Sequence, residues 1–333
     1  MRTRYLLRAP LLTALLVLWP LGSPGAVAHD TSPSPPAKVP AGVILVKGAW
    51  SSSSDSATPW PEGGRVTRDE YQSTYFQLSY PLSPGWVQQF EGPPPSDSGY
   101  YVLAQLQPPN TVTTAGRGSV LISAQDMFFA AIPAASALEL VTFSGNHLRA
   151  DYRLERPPAE VNLAGHSFAR LDYTSPAAML HWSVLATQLR CHIVQFTLAS
   201  PDPQVIERLV SGLNNLKLSS VGAPVCIKDY ATTDTVLNRV DPIFTDRRFN
   251  PIPVRVIIDG TGQIQHIHFV SAFPEQARMI TEALQQWRFK PHVVNGKAVE
   301  VETGILFGTA TNRALISGRH DPQLVPARKH DPT

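Results

Sequence analysis

The stretch Gln286-Trp287-Arg288-Phe289-Lys290-Pro291-His292 lies near the end of the chain and carries several structural signals. An apolar helical pattern ends in its two aromatic residues, and its proline cannot continue a helix. Val294-Asn295-Gly296-Lys297 follows as a turn, and residues 299–307 then alternate apolar and polar side chains, as a half-buried strand does. The stretch therefore predicts a helix that is followed at once by a strand.

The residues before this stretch predict the rest of a small domain at 224–308. Residues 253–258 and 263–271 form two apolar strands, and Asp259-Gly260-Thr261-Gly262 between them tolerates the positive φ of a hairpin turn. Residues 274–287 place their apolar side chains on one face of a helix. The expected fold is α+β, with a three-stranded antiparallel sheet and helices.

Three residues of the opening stretch receive structural roles. Trp287 and Phe289 are expected to fill the core between the helix and the sheet, and Pro291 is expected to stop the helix. Another, short helix is predicted at residues 233–244, capped by its first or second residue.

Residues 71–220 predict a larger α+β domain with an antiparallel sheet and flanking helices. Its expected strands cover residues 75–80, 100–106, 119–123, 168–173, 180–186 and 192–198. Short turns separate the last three strands, as in an antiparallel meander. Helices are predicted at residues 138–152 and after Pro201-Asp202-Pro203.

The two ends of the chain predict export and little packed structure. Residues 1–28 combine three arginines, an apolar run and a terminal Ala26-Val27-Ala28, which is the pattern of a cleaved signal peptide. Residues 29–70 are a Pro/Ser/Gly-rich linker, and residues 309–333 are a polar tail expected to be disordered. The whole chain has a formal charge of +2, and loss of three arginines with no acid would leave −1. No basic patch remains to indicate a nucleic-acid partner.

Cys191 and Cys226 are the two cysteines of the chain. Export to an oxidising compartment favours a disulfide between them, which would join the end of the larger domain to the start of the smaller one. The alternative is two separate thiols.

Residues 224–308 resemble the C-terminal domain of the TonB family. The features that match, in the family's order, are Val254-Arg255-Val256-Ile257-Ile258-Asp259 with Gly262, the helix closing in Trp287-Arg288-Phe289-Lys290-Pro291, and Asn295-Gly296-Lys297 before the last strand. The resemblance implies a periplasmic module that grips extended peptides of outer-membrane proteins. One departure is Asn250-Pro251-Ile252-Pro253, where the family usually has a glycine.

Residues 71–220 resemble the PsbP-like fold, an antiparallel sheet flanked by helices. The matching pieces are Phe76-Gln77-Leu78-Ser79-Tyr80-Pro81 with Gly85-Trp86, Gly165-His166-Ser167-Phe168-Ala169-Arg170-Leu171-Asp172-Tyr173, and the final helix after a strand. These are packing motifs, so the resemblance implies a scaffold and no shared chemistry.

Candidate catalytic and metal-binding residues are few. Cys191 and His192 are adjacent, but neighbouring strand residues point to opposite faces, so they are not expected to form a nucleophile–base pair. His266 and His268 share a strand face and are weak metal candidates if a third ligand, such as His292, joined them. The alternative places both on an exposed face of the sheet. We expect no metal and no cofactor.

The resemblance to TonB predicts binding by strand addition, in which an extended peptide pairs with free N–H and C=O groups at a sheet edge. The edge used in that family is the last strand, so the expected partner-binding residues are Val299, Val301, Thr303 and Ile305. The expected partner is a protein of the cell envelope, such as a TonB-dependent outer-membrane protein, or a second copy in a homodimer.

The sequence thus predicts a non-catalytic, exported binding protein of two domains, periplasmic or secreted after signal-peptide cleavage. Two alternatives from other classes stay open. One is an uncleaved TonB-type energy transducer anchored in the inner membrane and facing the periplasm. The other is a hydrolase whose site is assembled from distant residues.

Overall fold

The computed structural model describes residues 43–45, 53–55, 61, 64–89, 99–109, 117–130, 133–219, 223–243, 252–270, 272–307 and 314–316. These residues all belong to one compact unit of the chain. The predicted signal segment lies outside them, as do most of the predicted linker and most of the predicted tail. Within them the fold is α+β, as expected, with much more strand than helix.

The described residues up to 219 form thirteen strands and two α-helices. The strands are β1 (Val43–Leu45), β2 (Ser53–Asp55), β3 (Arg65–Val66), β4 (Glu70–Ser73), β5 (Leu78–Pro81), β6 (Val87–Gln88), β7 (Tyr100–Gln107), β8 (Ser119–Asp126), β9 (Arg153–Leu163), β10 (His166–Ser175), β11 (Leu180–Leu189), β12 (His192–Ser200) and β13 (Lys217–Leu218). The helices are α1 (Ala137–Asn146) and α2 (Pro203–Gly212), the latter followed by a 3-10 turn at Leu213–Asn215.

The described residues from 223 onward form nine strands and one α-helix. The strands are β14 (Val225–Cys226), β15 (Val236–Asn238), β16 (Ile252–Ile258), β17 (Ile264–Phe269), β18 (Arg288–Phe289), β19 (His292–Val294), β20 (Lys297–Val299), β21 (Val301–Phe307) and β22 (Ala314–Ile316). The helix is α3 (Pro274–Leu284).

The first large sheet has the strand order β6-β7-β8-β12-β11-β10-β9 and is antiparallel throughout. The meander predicted for its last three long strands is present, with Leu185 opposite Phe196 and Leu171 opposite Val184. Successive residues of the long strands point to opposite faces of this sheet, and each face packs in a hydrophobic core. One face packs with β4, β5 and α2, and the other packs with α1. This double burial explains the nearly continuous apolar strands.

Two elements of this half differ from the prediction. Residues 75–80, predicted as one strand, form part of a turn followed by β5, which pairs with β4, because Gln77 takes a positive φ of 49° and its N–H donates to the Thr74 carbonyl. Helix α1 ends at Asn146 and does not continue to residue 152, because the His147 N–H closes it on the carbonyls of Phe143 and Ser144.

The second large sheet has the strand order β1-β2-β17-β16-β21-β14, and β22 also pairs with β21. The three antiparallel strands that the sequence predicts form its centre, as β17-β16-β21. Four further strands of two or three residues extend this centre; β1, β2 and β14 come from earlier parts of the chain, and β22 follows β21. Helix α3 covers one face, where Ile280, Leu284 and Trp287 join the core.

The connections of the second sheet depart from the prediction at two places. The helix expected at 233–244 is absent from the described part of that range, where a turn leads into β15, because Val236 pairs with Phe289. Helix α3 ends at Leu284, and the following residues enter β18. The hairpin turn needs glycine at Gly262, whose φ is 85° and whose carbonyl accepts the Phe289 N–H at 2.8 Å.

Candidate functional site

Strand β21 has two buried faces, and each face belongs to a different core. Val301, Ile305 and Phe307 join the core under α3. Glu302 and Gly304 point the other way, toward the first large sheet. A Cβ at Gly304 would lie 2.6 Å from the Phe129 ring, so only glycine allows this close approach. The strand therefore lies between the two halves of the molecule.

The outer edge of β21 is the site that the resemblance to TonB predicts, and we call residues Val301–Phe307 the acceptor edge. Backbone bonds show which residues face outward, because the carbonyls of Glu300 and Glu302 accept the N–H groups of Val225 and Ile227. Successive residues alternate, so the even-numbered residues of β21 direct their backbone groups outward and the odd-numbered ones bond to β16.

The acceptor edge is not open, and this corrects the expectation of unpaired backbone groups. Strand β14 pairs with it in parallel at Val301 and Glu302. Strand β22 pairs with it antiparallel at Ile305–Phe307. The predicted disordered tail thus contributes a strand, Ala314–Ile316.

Of the four predicted partner-binding residues, Val301, Thr303 and Ile305 belong to the acceptor edge and Val299 does not. Val299 lies in β20 and pairs with His292 in a separate hairpin. The side chains of Val301, Thr303 and Ile305 are buried in the protein itself. Thr303 Oγ1 donates to the Lys228 carbonyl at 3.2 Å. These side chains cannot contact a partner, so only backbone groups of the acceptor edge can.

The opposite edge of the second sheet is also paired. Strand β2 joins β17 at His268 and Phe269, and β1 extends the sheet beyond β2. Strand β1 at Val43–Leu45 lies within the segment predicted to be a linker. Both borders of the three central strands therefore carry segments of the same chain.

A buried ionic cluster stands behind the acceptor edge, centred on Glu302, whose side chain is fully buried. The Tyr75 hydroxyl donates to Glu302 Oε1 at 2.7 Å, and Arg190 Nε donates to Glu302 Oε2 at 2.7 Å. Arg190 also donates to the Tyr75 carbonyl at 3.0 Å and stacks over the Tyr75 ring at 3.9 Å. One carboxylate of the second sheet thus anchors two side chains of the first half.

A second carboxylate completes the cluster from the opposite direction. Arg255 of β16 forms an ion pair with Asp126 of β8, and its Nη1 lies 3.4 Å from Glu302 Oε1. Asp126 Oδ1 also accepts the N–H groups of Phe128 and Phe129 at 2.7 and 3.0 Å. The four charged residues, two cations and two anions, balance each other.

The arrangement of charges shifts the acidity of the buried groups. Burial alone would raise the pKa of Glu302, but the positive charges of Arg190 and Arg255 outweigh it and lower that pKa to about 2. Burial, together with the nearby Glu302 carboxylate, raises the pKa of Tyr75. Glu302 is therefore ionised and Tyr75 is a neutral donor at neutral pH.

His192 lies beside this cluster with no exposed surface. Its ring meets the rings of Tyr75, Phe76 and Tyr101 edge-on at centroid distances of 5.3–5.5 Å. Burial lowers the pKa of His192 to about 4, an effect that Glu302 opposes and Arg190 reinforces. His192 is thus a neutral packing residue at pH 7.

The expected disulfide is present and borders both features. Cys191 and Cys226 are joined, with their Cα atoms 5.2 Å apart. Cys226 lies in β14 opposite Glu302, and Cys191 Sγ lies 3.5 Å from the Glu302 carbonyl oxygen. The bond therefore ties the segment on the acceptor edge to the turn before β12.

Of the histidines proposed as weak metal candidates, His268 and His292 lie in different surroundings. His268 is buried, with its ring 6.5 Å from that of Tyr101, so the face expected to be exposed is covered by the first half. His292 lies in the β19–β20 hairpin against Tyr230. Among the described residues, no three His, Cys, Asp or Glu side chains are grouped to hold a metal ion.

Sequence reasoning missed the whole ionic cluster. The available signal was a single charge within an otherwise apolar strand, as in Val254-Arg255-Val256 and Val301-Glu302-Thr303. A lone sheet with one solvated face accommodates such charges, so they do not by themselves indicate burial. Only the second layer of structure, contributed by a distant part of the sequence, encloses them.

In the part of the chain that the structure describes, no helix has the length and apolar character needed to cross a membrane.

No protein-family model and no curated protein matches this sequence. Among solved structures, the chain is similar to the solution structure of cyanobacterial PsbP (CyanoP) from Synechocystis sp. PCC 6803. The TM-score is 0.31 at 15% sequence identity, and the match covers 47% of this chain and 96% of that chain. A likeness of this size says nothing about function.

Proposed function

We propose that this chain is a non-catalytic, exported binding protein that takes up an extended segment of a cell-envelope partner by strand addition at the acceptor edge. The resemblance of residues 224–308 to the TonB C-terminal domain supports this reading. The signal-like residues 1–28 and the disulfide between Cys191 and Cys226 support export, because disulfides persist in oxidising compartments.

The observation that carries the proposal is the pairing of β22 with the acceptor edge. Ala314–Ile316 lies antiparallel to Ile305–Phe307, residue opposite residue. The backbone groups of this edge therefore have the geometry that an added strand requires. The tail occupies the position that a partner would take, so binding proceeds by exchange of one strand for another.

The exchange is energetically accessible because β22 is short. Three residue pairs hold it against β21. Each backbone hydrogen bond contributes roughly 1 kcal/mol net, so a partner segment of five or more residues makes enough bonds to replace it. The partner is recognised chiefly through its backbone, since Val301, Thr303 and Ile305 turn their side chains into the protein.

The test uses the tail itself as the probe. A chain that ends at residue 308 lacks β22, and a synthetic peptide of residues 310–318 supplies it again. We expect the peptide to shift the amide NMR signals of residues 304–307 in the truncated chain. The full-length chain should respond more weakly, because its own tail competes.

A matched pair of variants separates backbone pairing from side-chain contact. Leu306→Pro removes an outward N–H, whereas Leu306→Ala shortens the same side chain and keeps that donor. We expect Leu306→Pro to lose peptide binding and Leu306→Ala to retain it. A folded, truncated chain that gives no response to the peptide would exclude strand addition at this edge.

A further inference from the structure

The two segments on the acceptor edge are attached in different ways. Strand β22 is held by three residue pairs. Strand β14 has only two residues, but its Cys226 is covalently bonded to Cys191 of the first half. The part of the edge at Val301 and Glu302 is therefore fixed by a chemical bond, whereas the part at Ile305–Phe307 is not.

Without that bond, β14 itself would keep two backbone hydrogen bonds, and the residues just after it would keep the packing of Ile227 against the core under α3 and the bond from Thr303 to the Lys228 carbonyl. The N–H groups of Val225 and Ile227 donate to the carbonyls of Glu300 and Glu302 at 2.8 and 3.0 Å, and the Val225 side chain is exposed. The ionic cluster keeps Glu302 in place independently of the disulfide, because Arg190 and Tyr75 bond its carboxylate. Loss of the bond would thus loosen β14 and leave β21 where it is.

We propose that the disulfide is a redox latch on the acceptor edge, an inference that rests on the proposed function. A dithiol reductant transfers two electrons and two protons to the bond, which yields two thiols and the oxidised reductant. Cys226 is partly exposed, so the reductant attacks from that side, whereas Cys191 is buried. Release of β14 lengthens the available edge from Ile305–Phe307 to the whole of β21.

The register of β22 defines two probes for this latch. Continuing the pairing of Ile305 with Ile316 along β21 brings tail residue 319 opposite Glu302 and residue 320 opposite Val301. A peptide of residues 313–321 therefore needs the part of the edge that β14 occupies. A peptide of residues 313–317 pairs only beyond it and serves as the control.

The experiment measures the affinity of both peptides for the chain that ends at residue 308, oxidised and after treatment with a dithiol, and for its Cys226→Ser variant. We expect the long peptide to bind at least tenfold more tightly when the bond is absent, and the short peptide to bind equally in all three. Equal affinity of the long peptide would overturn the latch but leave the proposed function intact. Failure of both peptides in every state would overturn the proposed function as well.

Amide hydrogen exchange keeps the result interpretable. The latch requires faster exchange at Val225 and Ile227 once the bond is gone, with the amides of Val254 and Val256 in β16 still protected. If β16 loses protection at the same time, the disulfide supports the whole sheet and the latch is excluded.

Discussion

The two large sheets protect their edges in different ways. Strand β9 ends the first sheet within the described residues and is mostly exposed along its eleven residues. It carries Pro157 and Pro158 and the charged residues Arg153, Glu155, Arg156 and Glu160. The second sheet covers its edges with short strands from the same chain.

The edge of the first sheet is protected permanently against strand addition, whereas the edge of the second sheet is protected reversibly. Proline lacks a backbone donor, and charged edge residues oppose pairing, so β9 resists strand addition whatever the conditions. The acceptor edge keeps its backbone N–H and C=O groups, and β14 and β22 pair with them. An edge of that kind can be reopened, and for this reason the proposed function belongs to the second sheet.

The largest effect should come from removing the charge that joins the two sheets. Glu302→Gln leaves Arg190 and Arg255 buried with less negative charge than they need. Breaking a buried ion pair in this way costs about 3–5 kcal/mol. We expect urea denaturation to give a free energy of unfolding lower by that amount.

The matched control is Glu282→Gln, which removes a carboxylate from an exposed pair with Arg278 on α3. Exposed pairs are screened by water and contribute little, so this variant should unfold at nearly the wild-type urea concentration. Similar losses in the two variants would mean that the cluster does not hold the sheets together.

A smaller effect should follow acidification, through His192. Its pKa is about 4 in the folded protein and near 6.5 when unfolded, so the unfolded chain binds the extra proton first. Stability is therefore complete above pH 6.5 and is lost as the pH falls toward 4. The full shift corresponds to about 3 kcal/mol.

Urea midpoints measured between pH 7 and pH 4 check this, with His192→Phe as the comparison. Phenylalanine fits among the aromatic rings and does not titrate, so its pH profile over this window should be flatter. Parallel profiles for the two proteins would exclude His192 as the source of the acid sensitivity.

A still smaller loss is expected from Gly304→Ala. The added methyl group would lie 2.6 Å from the Phe129 ring and 2.9 Å from the Phe128 ring, so the loop must move away from β21. Such overpacking costs about 1–3 kcal/mol. Gly212→Ala is the control, since a Cβ there meets no atom within 4 Å and alanine favours the end of α2. In thermal unfolding, we expect Gly304→Ala to lower the midpoint temperature and Gly212→Ala to raise it.

The smallest effect on stability should come from the protected edge of the first sheet. Replacing Pro157 and Pro158 by threonine changes exposed or partly exposed residues, so stability should stay within about 0.5 kcal/mol. The new donors should promote pairing between molecules, which light scattering detects as self-association at high protein concentration. A variant that remains monomeric would show that the charged residues alone protect β9.

The sequence predicts elements well where the signal is local. The meander of β10, β11 and β12 and the central hairpin of β16 and β17 follow from apolar strands separated by short turns. The predicted helix at 233–244 is wrong in its described part, because pairing of Val236 with Phe289, fifty-three positions away, outweighs local helical preference. The observed strand boundaries also differ from the predicted ones where a single backbone conformation decides them, as the positive φ of Gln77 does.

The candidate site could be predicted only in part, because its partners are distant in sequence. The pairing of Cys191 with Cys226 could be predicted from the expected export and an even number of cysteines. The closure of the acceptor edge by β14 and β22 has no comparable signal, since strands of two or three residues carry little periodicity. Glu302 meets Tyr75 across 227 positions, a contact that no local pattern encodes.

The ionic cluster also decides where this chain can be divided. A cut between residues 220 and 224, at the predicted domain boundary, would leave Asp126 and Arg190 on one fragment and Arg255 and Glu302 on the other. Each fragment would expose a hydrophobic surface and charged side chains whose ion-pair partners lie on the other fragment. Expression of either half alone should therefore give an unstable product, whereas co-expression should let the two pieces reassemble.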